Sequence, residues 1–494
     1  MMPTANLWSL PWSMLWPETV VLLGAMAALV LRRVAFESAV LAIVLSLWLR
    51  FGIPSHPGSF AGAFRVDGFT LLFQALVLVG TLMLLVLARR SLGVPAERRP
   101  EYASLFLFAA LGGMVLAGAT DLVLLFVGLE TLSIASYILV GMRKGNRASA
   151  EGAMKYILSG ATATAVFLFG ASYLVGWTGA TDLGEIGRRL ADPAPGEVAG
   201  PLLTVGFMFV LAALSFKIVS LPFYMWAPDV YQGAPIAVTT FLAAVSKTAG
   251  FAALARIVEG VLAAPGGPGS PFWHEMSTVL AILAAASMVA GNVIALRQKN
   301  TKRLLAYSSI AHAGYLLIPL AAFNAMTFQQ LAFYLWAYLL MNVGVFAVLD
   351  QVARAHGSTD MAALNGLSRR SPLLTAALTV LVLSLAGMPL TAGFFAKWYV
   401  LTGALAGGKG WLGFVLIATT VVSYAYYFHL LRHAWSRAEE ELPPLRVSWP
   451  VGALVVVAAG LTLLIGVFPG QWLGGLQQMM DAVQGTATFG FETR

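Results

Sequence analysis

Fourteen stretches of about 20 mostly apolar residues, each long enough to cross a bilayer, fill this chain almost end to end. They read at 13–31, 36–51, 69–88, 102–120, 121–141, 152–176, 202–226, 236–258, 276–296, 303–322, 328–353, 373–404, 411–434 and 450–469, and are numbered here as spans 1–14. Lipid offers no partner to a backbone N–H or C=O, so segments of this length and pattern must close their hydrogen bonds internally, as helices. The expected fold is therefore an all-α polytopic membrane protein. Only 11% of the 494 residues are charged, against about 25% in an ordinary soluble domain. No Lys or Arg precedes Arg32, so the N-terminus lacks the basic start of a cleaved signal, and span 1 is expected to remain in the mature chain.

The chain has no cysteine, which excludes disulfides and cysteine-ligated iron–sulfur centres within it. Its formal charge of +8 would suggest nucleic acid in a soluble protein, but the basic residues cluster in short connections between spans. Counted on alternating sides, one set of connections receives Arg32, Arg33, Arg89, Arg90, Arg98, Arg99, Arg143, Lys144, Arg147, Arg297, Lys299, Lys302, Arg303, Arg354, Arg369, Arg370, Arg432, Arg437 and Arg446. The other set receives Arg50, Arg65, Arg188, Arg189, Arg256, Lys409 and Arg494. Cytoplasmic loops carry the Lys/Arg excess, so the richer set is expected inside and both termini on the outer, periplasmic side. Losing one span would invert every later connection, so the asymmetry supports the count of fourteen.

Two spans are punctuated by helix breakers, whose freed backbone groups must find partners in protein or water. Span 7 carries Pro222 in SFKIVSLPFYMWAPD, and span 12 carries Gly387 and Pro389 in SLAGMPLTAGFFAKW. The breaks lie five spans apart, which suggests a repeat of spans 4–8 in spans 9–13. Five is odd, so the second copy would enter the membrane inverted, an arrangement that places ion sites at the breaks in many transporters. The expected organisation of this single membrane domain is a three-helix segment (1–100), a first repeat (101–260), a second repeat (275–435), and a final loop, helix and tail (436–494).

Charges inside spans are the candidate functional residues, because a charge at the centre of a membrane helix costs roughly 2.5–3.5 kcal/mol even on lenient scales. Glu130 lies nine residues past Asp121, roughly 14 Å along a helix. Lys217 precedes Pro222 by five residues, Lys247 sits among small residues in FLAAVSKTAGF, and Lys397 follows Pro389 by eight. A Glu130–Lys217 pair would act as a switch, since a carboxylate neighbour favours the charged lysine and burial disfavours it. Lys397 reads as the second-half counterpart of Lys217. The competing reading for each is a structural ion pair between helices. Lys155 is balanced between the two, because Glu151 stands four residues earlier on the same helix face. Tyr307, His312 and His429 are further candidates for carrying protons, although a lone histidine in an apolar helix is more often a packing residue. The stretch RAEEELPP at 437–444 reads as a solvated loop.

GLETLSIASYILVG, SAEGAMKYILSGA, SFKIVSLPFYMWAPDVYQGAPIAVTTFLAAVSKTAGF, RQKNTKRLLAYSSIAHAGY and AGMPLTAGFFAKW carry a resemblance to the antiporter-like membrane subunits of respiratory complex I. The resemblance extends over spans 4–13 and is nearest to the subunit N branch of bacterial NADH-quinone oxidoreductase, relatives of mitochondrial NADH dehydrogenase subunit 2. It implies proton translocation through Glu130, Lys217, Lys247 and Lys397, coupled to electron transfer from NADH to quinone. It also implies that FMN and iron–sulfur clusters lie in partner subunits and none in this chain. Subunits M and K and the lateral helix of subunit L are the implied neighbours, in the bacterial inner membrane. Lysine at 397 departs from the subunit M pattern, and Tyr224 stands where many relatives carry histidine. Two other readings share the buried lysines or the fold: a subunit of a cation/proton antiporter or membrane-bound hydrogenase, and a structural subunit that moves no ions.

Overall fold

The computed structural model describes residues 11–52, 58–89, 92–191, 201–262, 271–437 and 443–481, so Arg90, Arg494 and most of the RAEEELPP connection lie outside it. Among the described residues, twelve helices are long and apolar enough to cross a membrane, and spans 1–6, 8–11, 13 and 14 fall on them. Spans 7 and 12 are the two that break: the helix of span 7 stops at Pro201–Ile218, with the short helix Ala227–Gly233 following just beyond the span, and span 12 divides into Pro372–Ala386 and Ala392–Ala406. The only strands among the described residues, Gly58–Phe60 and Phe64–Val66, form a short hairpin in the connection before span 3. Nothing in the apolar pattern signalled that hairpin.

Helix starts follow the polar residues placed at them. Asp67, Asp121, Asn146 and Asn300 each accept a hydrogen bond from a backbone N–H of the first turn that follows. Burial then sorts the helices. The most apolar window of span 8 is 100% buried and those of spans 10 and 11 are 94% buried, whereas span 6 is 28% buried. Spans 8, 10 and 11 therefore make the centre, and the peripheral helices turn leucine, valine, phenylalanine and tryptophan side chains outward.

Two places are built alike. After span 4 the chain passes Asp121, which bridges antiparallel to Asp182, and after span 9 it passes Asn300, which bridges to Asp360 in the same way. In each place the helix that follows packs against its predecessor through a glycine. A methyl at Gly112 would lie 2.5 Å from the Leu132 nitrogen, and one at Gly291 would lie 2.5 Å from the Ala311 nitrogen. Spans 6 and 11 both end on a glycine at positive φ, Gly179 at 62° and Gly357 at 69°.

Three basic residues assigned above to loops are instead buried. Arg50 ends the helix of span 2 and pairs with Glu18 at 2.6 Å. Arg256 lies in span 8 and pairs with Asp67 at 2.7 Å. Lys302 donates to the carbonyls of Gln232 and Ala234. Each is a helix-end residue whose long side chain turns back into the bundle rather than out to water.

Candidate functional site

Lys217 occupies the last turn of Pro201–Ile218, just before the break, and its Nζ donates to Ser133 Oγ at 2.9 Å. Glu130 stands one turn before Ser133 on Leu122–Val140 and accepts from Thr164 Oγ1 at 2.5 Å. Glu130 and Lys217 line one narrow cavity of about 20 Å³ with Ser133, Tyr137 and Thr164, but they form no direct ion pair. Because Glu130 turns to Thr164, the expected contact is replaced by a charge pair acting across Ser133. Glu130 is half-buried and Lys217 is buried, so the acid sits at the flank and the base inside.

Lys247 is fully buried at the centre of span 8. A π-helical turn, Leu242–Ser246, immediately precedes it, a feature frequent at functional positions. Its Nζ donates to the Ser309 backbone oxygen and to Ser309 Oγ, and lies 5.2 Å from the centre of the Tyr338 ring. Gly250, one turn on, leaves room for the Lys217 stem: a methyl there would be 3.3 Å from Lys217 Cγ. The two lysines thus occupy adjoining places on facing helices.

Span 10 carries the connection onward. His312 Nδ1 bonds Tyr334 Oη at 2.7 Å and its Nε2 bonds Tyr427 Oη at 3.2 Å, while Tyr427 also bonds Ser308 Oγ at 2.5 Å. Tyr315, three residues past His312, lies under Lys397, whose Nζ is 5.1 Å from the ring centre. Lys397 Nζ donates to the carbonyls of Ala386 at 2.8 Å and Leu385 at 3.3 Å, the free C-terminal end of the preceding half-helix. Unlike Lys217, it stands after its break and reaches back.

Both breaks hold a non-glycine residue in the left-handed region, Val219 at φ 61° and Leu390 at φ 69°, a conformation that costs of order 1–3 kcal/mol and concentrates at functional sites. Pro222 and Pro389 are exposed, so the breaks open on the flank of the bundle.

The structure therefore draws Glu130, Lys217, Lys247, His312 and Lys397 into one polar row. Tyr307 lies half-buried beside it, and His429 is exposed, its ring 4.9 Å from that of His433. Tyr224 is half-buried and packs against the core. Lys155 and Glu151 belong to a separate cluster near the surface: Lys155 pairs with Glu151 at 2.7 Å and Asp229 at 2.5 Å, and Arg303 also holds Asp229. Burial works to raise the Asp229 carboxyl, but the hydrogen bonds from Lys155 and Arg303 outweigh it and hold it below the usual carboxylate range. Sequence reasoning missed Ser133, Thr164, Ser309, Tyr334, Tyr338 and Tyr427. The spacing of Ser308 and Ser309 to His312, one helical turn, was the available signal for span 10.

This row falls within residues 119–437, which match the family described as NADH:quinone oxidoreductase/Mrp antiporter, TM. The chain is 42% identical over 483 residues to the NADH-quinone oxidoreductase subunit N of Geobacillus kaustophilus, covering 94% of this chain and 96% of that one. Among solved structures it is similar to a chain of respiratory complex I from Thermus thermophilus, with 37% identity, a TM-score of 0.79, and 93% of this chain and 99% of that one covered. The fold is also shared, at 23% identity and a TM-score of 0.84, by a chain of the membrane-bound sulfane sulfur reductase, an archaeal respiratory membrane complex, covering 95% of this chain and 97% of that one.

Proposed function

The chain belongs to the NADH:quinone oxidoreductase/Mrp antiporter family, in its subunit N group, and from that premise we propose how its buried row moves protons. It is a proton-translocating, multi-pass subunit of the membrane arm of complex I in the bacterial inner membrane. It performs no redox chemistry itself: FMN, iron–sulfur clusters and quinone are handled by partner subunits. The identity of 42% to subunit N, against 23% for the sulfane sulfur reductase chain, favours this assembly over its relatives.

Lys247 is the central proton-accepting group, Lys217 and Glu130 set its affinity, and Lys397 passes the proton onward. The observation that carries this reading is the placement of Lys247. It is fully buried, its described partners are neutral, and it adjoins Lys217 on one side and the Ser308–Tyr427–His312 group on the other. When Glu130 and Lys217 are drawn together, Lys217 holds its charge and repels a proton on Lys247; when they separate, that repulsion falls.

Residues 101–260 and 275–435 are the two inverted repeats, supported by the matching bridges at Asp121 and Asn300 and the matching glycine contacts at Gly112 and Gly291. Both termini lie on the periplasmic side, by the bias of Lys and Arg. Subunits M and K adjoin this chain, and the lateral helix of subunit L runs beside it. Lys247→Ala in the whole complex, in inverted membrane vesicles, tests the site: protons per electron should fall with assembly and NADH oxidation by the hydrophilic arm intact. Unchanged pumping would move the subunit to a structural role.

A further inference from the structure

The short helix Ala227–Gly233 that follows the first break contributes no member of the buried row, yet it touches both that row and the surface cluster of Lys155 and Arg303. At about 1.5 Å per residue it is roughly 10 Å long, far below what a helix needs to persist alone, so its neighbours fix its place. Asp229 and Gln232 stand three residues apart on one face, and Arg303 bonds both: its Nη1 reaches an Asp229 carboxylate oxygen and, at 3.1 Å, Gln232 Oε1. The end of the helix is packed backbone to backbone, since a methyl on Gly233 would lie 2.2 Å from the Ala148 carbonyl oxygen. Lys302, buried at the start of span 10, donates to the carbonyls of Gln232 at 3.0 Å and Ala234 at 2.6 Å.

Tyr231 lies on the other side of this helix, because two residues past Asp229 carry a side chain about 200° round the axis. Tyr231 is fully buried, its backbone oxygen accepts from Thr239 Oγ1 at 2.9 Å, and its Oη lies 3.3 Å from Ser309 Oγ. Ser309 is the residue to which Lys247 donates, through both Oγ and the backbone oxygen. It stands seven residues after Lys302, about two turns inward on the same face of span 10. Span 10 therefore grips the short helix at two levels, by Lys302 at its end carbonyls and by Ser309 at the Tyr231 hydroxyl.

The Tyr231 hydroxyl answers a donor–acceptor problem at Lys247. An ammonium has donors and no acceptor, so with Lys247 charged both Ser309 oxygens accept from it. The Ser309 hydroxyl proton must then point to another oxygen, and Tyr231 Oη is the side-chain oxygen placed for it. With Lys247 neutral, its nitrogen gains a lone pair: the Ser309 hydroxyl can turn to donate to the lysine, and the Tyr231 hydroxyl to donate to Ser309. Both hydroxyls rotate, no heavy atom has to move, and Tyr231 keeps its own proton throughout. A phenyl ring in its place would leave Ser309 without that acceptor in one state and without that donor in the other.

We propose that Tyr231 is a positioning residue for Lys247, acting through Ser309, and that the short helix ties this hydroxyl pair to Lys302 and the Asp229 cluster at the Lys/Arg-rich end of the bundle. The tie makes the ionic cluster a handle on the buried lysine. At 3.3 Å the Tyr231–Ser309 contact is longer than the usual range of about 2.5–3.0 Å between hydroxyls, so a small approach of the short helix strengthens it and a small retreat breaks it. This rests on the reading of Lys247 as a proton carrier.

The test uses the complete complex in membrane vesicles, with assembly, quinone reductase activity and protons per electron against pH measured for Tyr231→Phe, Ser309→Ala, their double variant, Lys302→Met and Lys247→Ala. Tyr231→Phe should assemble, pump fewer protons per electron and show a shifted pH profile, and adding it to Ser309→Ala should bring no further loss. Lys302→Met should assemble and lose pumping in the same sense. Native pumping with a native pH profile in Tyr231→Phe, or losses that simply add in the double variant, would overturn the proposal and leave Tyr231 a packing residue. Native pumping in Lys302→Met would sink the tie to the ionic cluster. Loss in Lys247→Ala beside native behaviour in Tyr231→Phe defeats this proposal alone, and native pumping in Lys247→Ala defeats the underlying reading. If Tyr231→Phe fails to assemble, Ser309→Ala decides by the same two readings, pumping and its pH profile.

Discussion

In the first broken helix the lysine stands before the break, in the last turn of Pro201–Ile218, and faces a glutamate across Ser133. In the second it stands after the break, in Ala392–Ala406, and reaches back to the carbonyls of Leu385 and Ala386. Both arrangements bring an ammonium to the C-terminal end of a half-helix, where the backbone dipole favours positive charge. They differ in what else holds that charge. Lys217 depends on a half-buried acid at the flank, so its charge state answers to events at the edge of the subunit. Lys397 is held by backbone oxygens and the face of the Tyr315 ring, neither of which is an ionic partner, so its site changes only if the break itself moves.

The sharpest way to break this comparison is to remove each lysine. Lys217→Ala orphans a serine hydroxyl only, so the complex should assemble while pumping through this subunit falls at least about tenfold, or ~1.4 kcal/mol. Pumping assays in vesicles check this. Lys397→Ala leaves two carbonyls without their donor, at a cost of about 1–3 kcal/mol, so thermal stability of the assembled complex should fall along with pumping. Lys397→Arg keeps a donor and a charge that does not titrate, and is expected to recover stability without pumping. Equal stability in Lys217→Ala and Lys397→Ala would erase the distinction drawn above.

Smaller effects sharpen it. The short helix after the first break is clamped by Asp229 to Lys155 and Arg303, while Lys397 itself ties the helix after the second break to its predecessor. Asp229→Asn should cost about 1 kcal/mol, as partly exposed pairs do, seen as a lower unfolding temperature. The carboxyl is held below its ordinary value of 3.8, so its contribution is complete above that pH and is lost as pH falls through the lower folded value. Asp229→Asn should accordingly flatten the acid limb of the stability profile. Smallest is Leu390→Gly. Relief of its left-handed backbone, about 1–3 kcal/mol, is offset by the extra freedom of glycine in the unfolded chain, about 0.4–1 kcal/mol. The net expectation is a slight rise in thermal stability, since Leu390 is 69% exposed and packs little.

Span positions and both breaks were legible because lipid forces a long apolar run wherever a helix crosses, and proline and glycine interrupt it visibly. The buried lysines were legible for the same reason, as charges in the wrong solvent. Their partners were not. Ser133 and Ser309 look like ordinary residues of apolar helices, and only the packing of spans 5, 7, 8 and 10 shows which hydroxyl meets which ammonium. Arg50 and Arg256 were misplaced for a related reason: a charge at the end of a span reads as a loop residue until its side chain is seen to turn inward. His429 and Tyr307 shared helices with true members of the row but point elsewhere, because periodicity fixes relative direction along a helix and not its absolute rotation.

The π-helical turn Leu242–Ser246 bears on that rotation. Each residue added to an α-helix advances the direction of everything beyond it by about 100°. A wide turn absorbs one additional residue without lengthening the wiring of the bundle, so Lys247 owes its bearing toward Ser309 to a local phase slip upstream. Deleting a single residue from Leu242–Ser246 would let the helix close up as a regular α-helix, still apolar and still spanning. Either Lys247 and Arg256 would swing together away from their partners, or the preceding half would. Span 8 is in this sense geared, and a subunit could be retuned by insertion or deletion with every buried lysine retained.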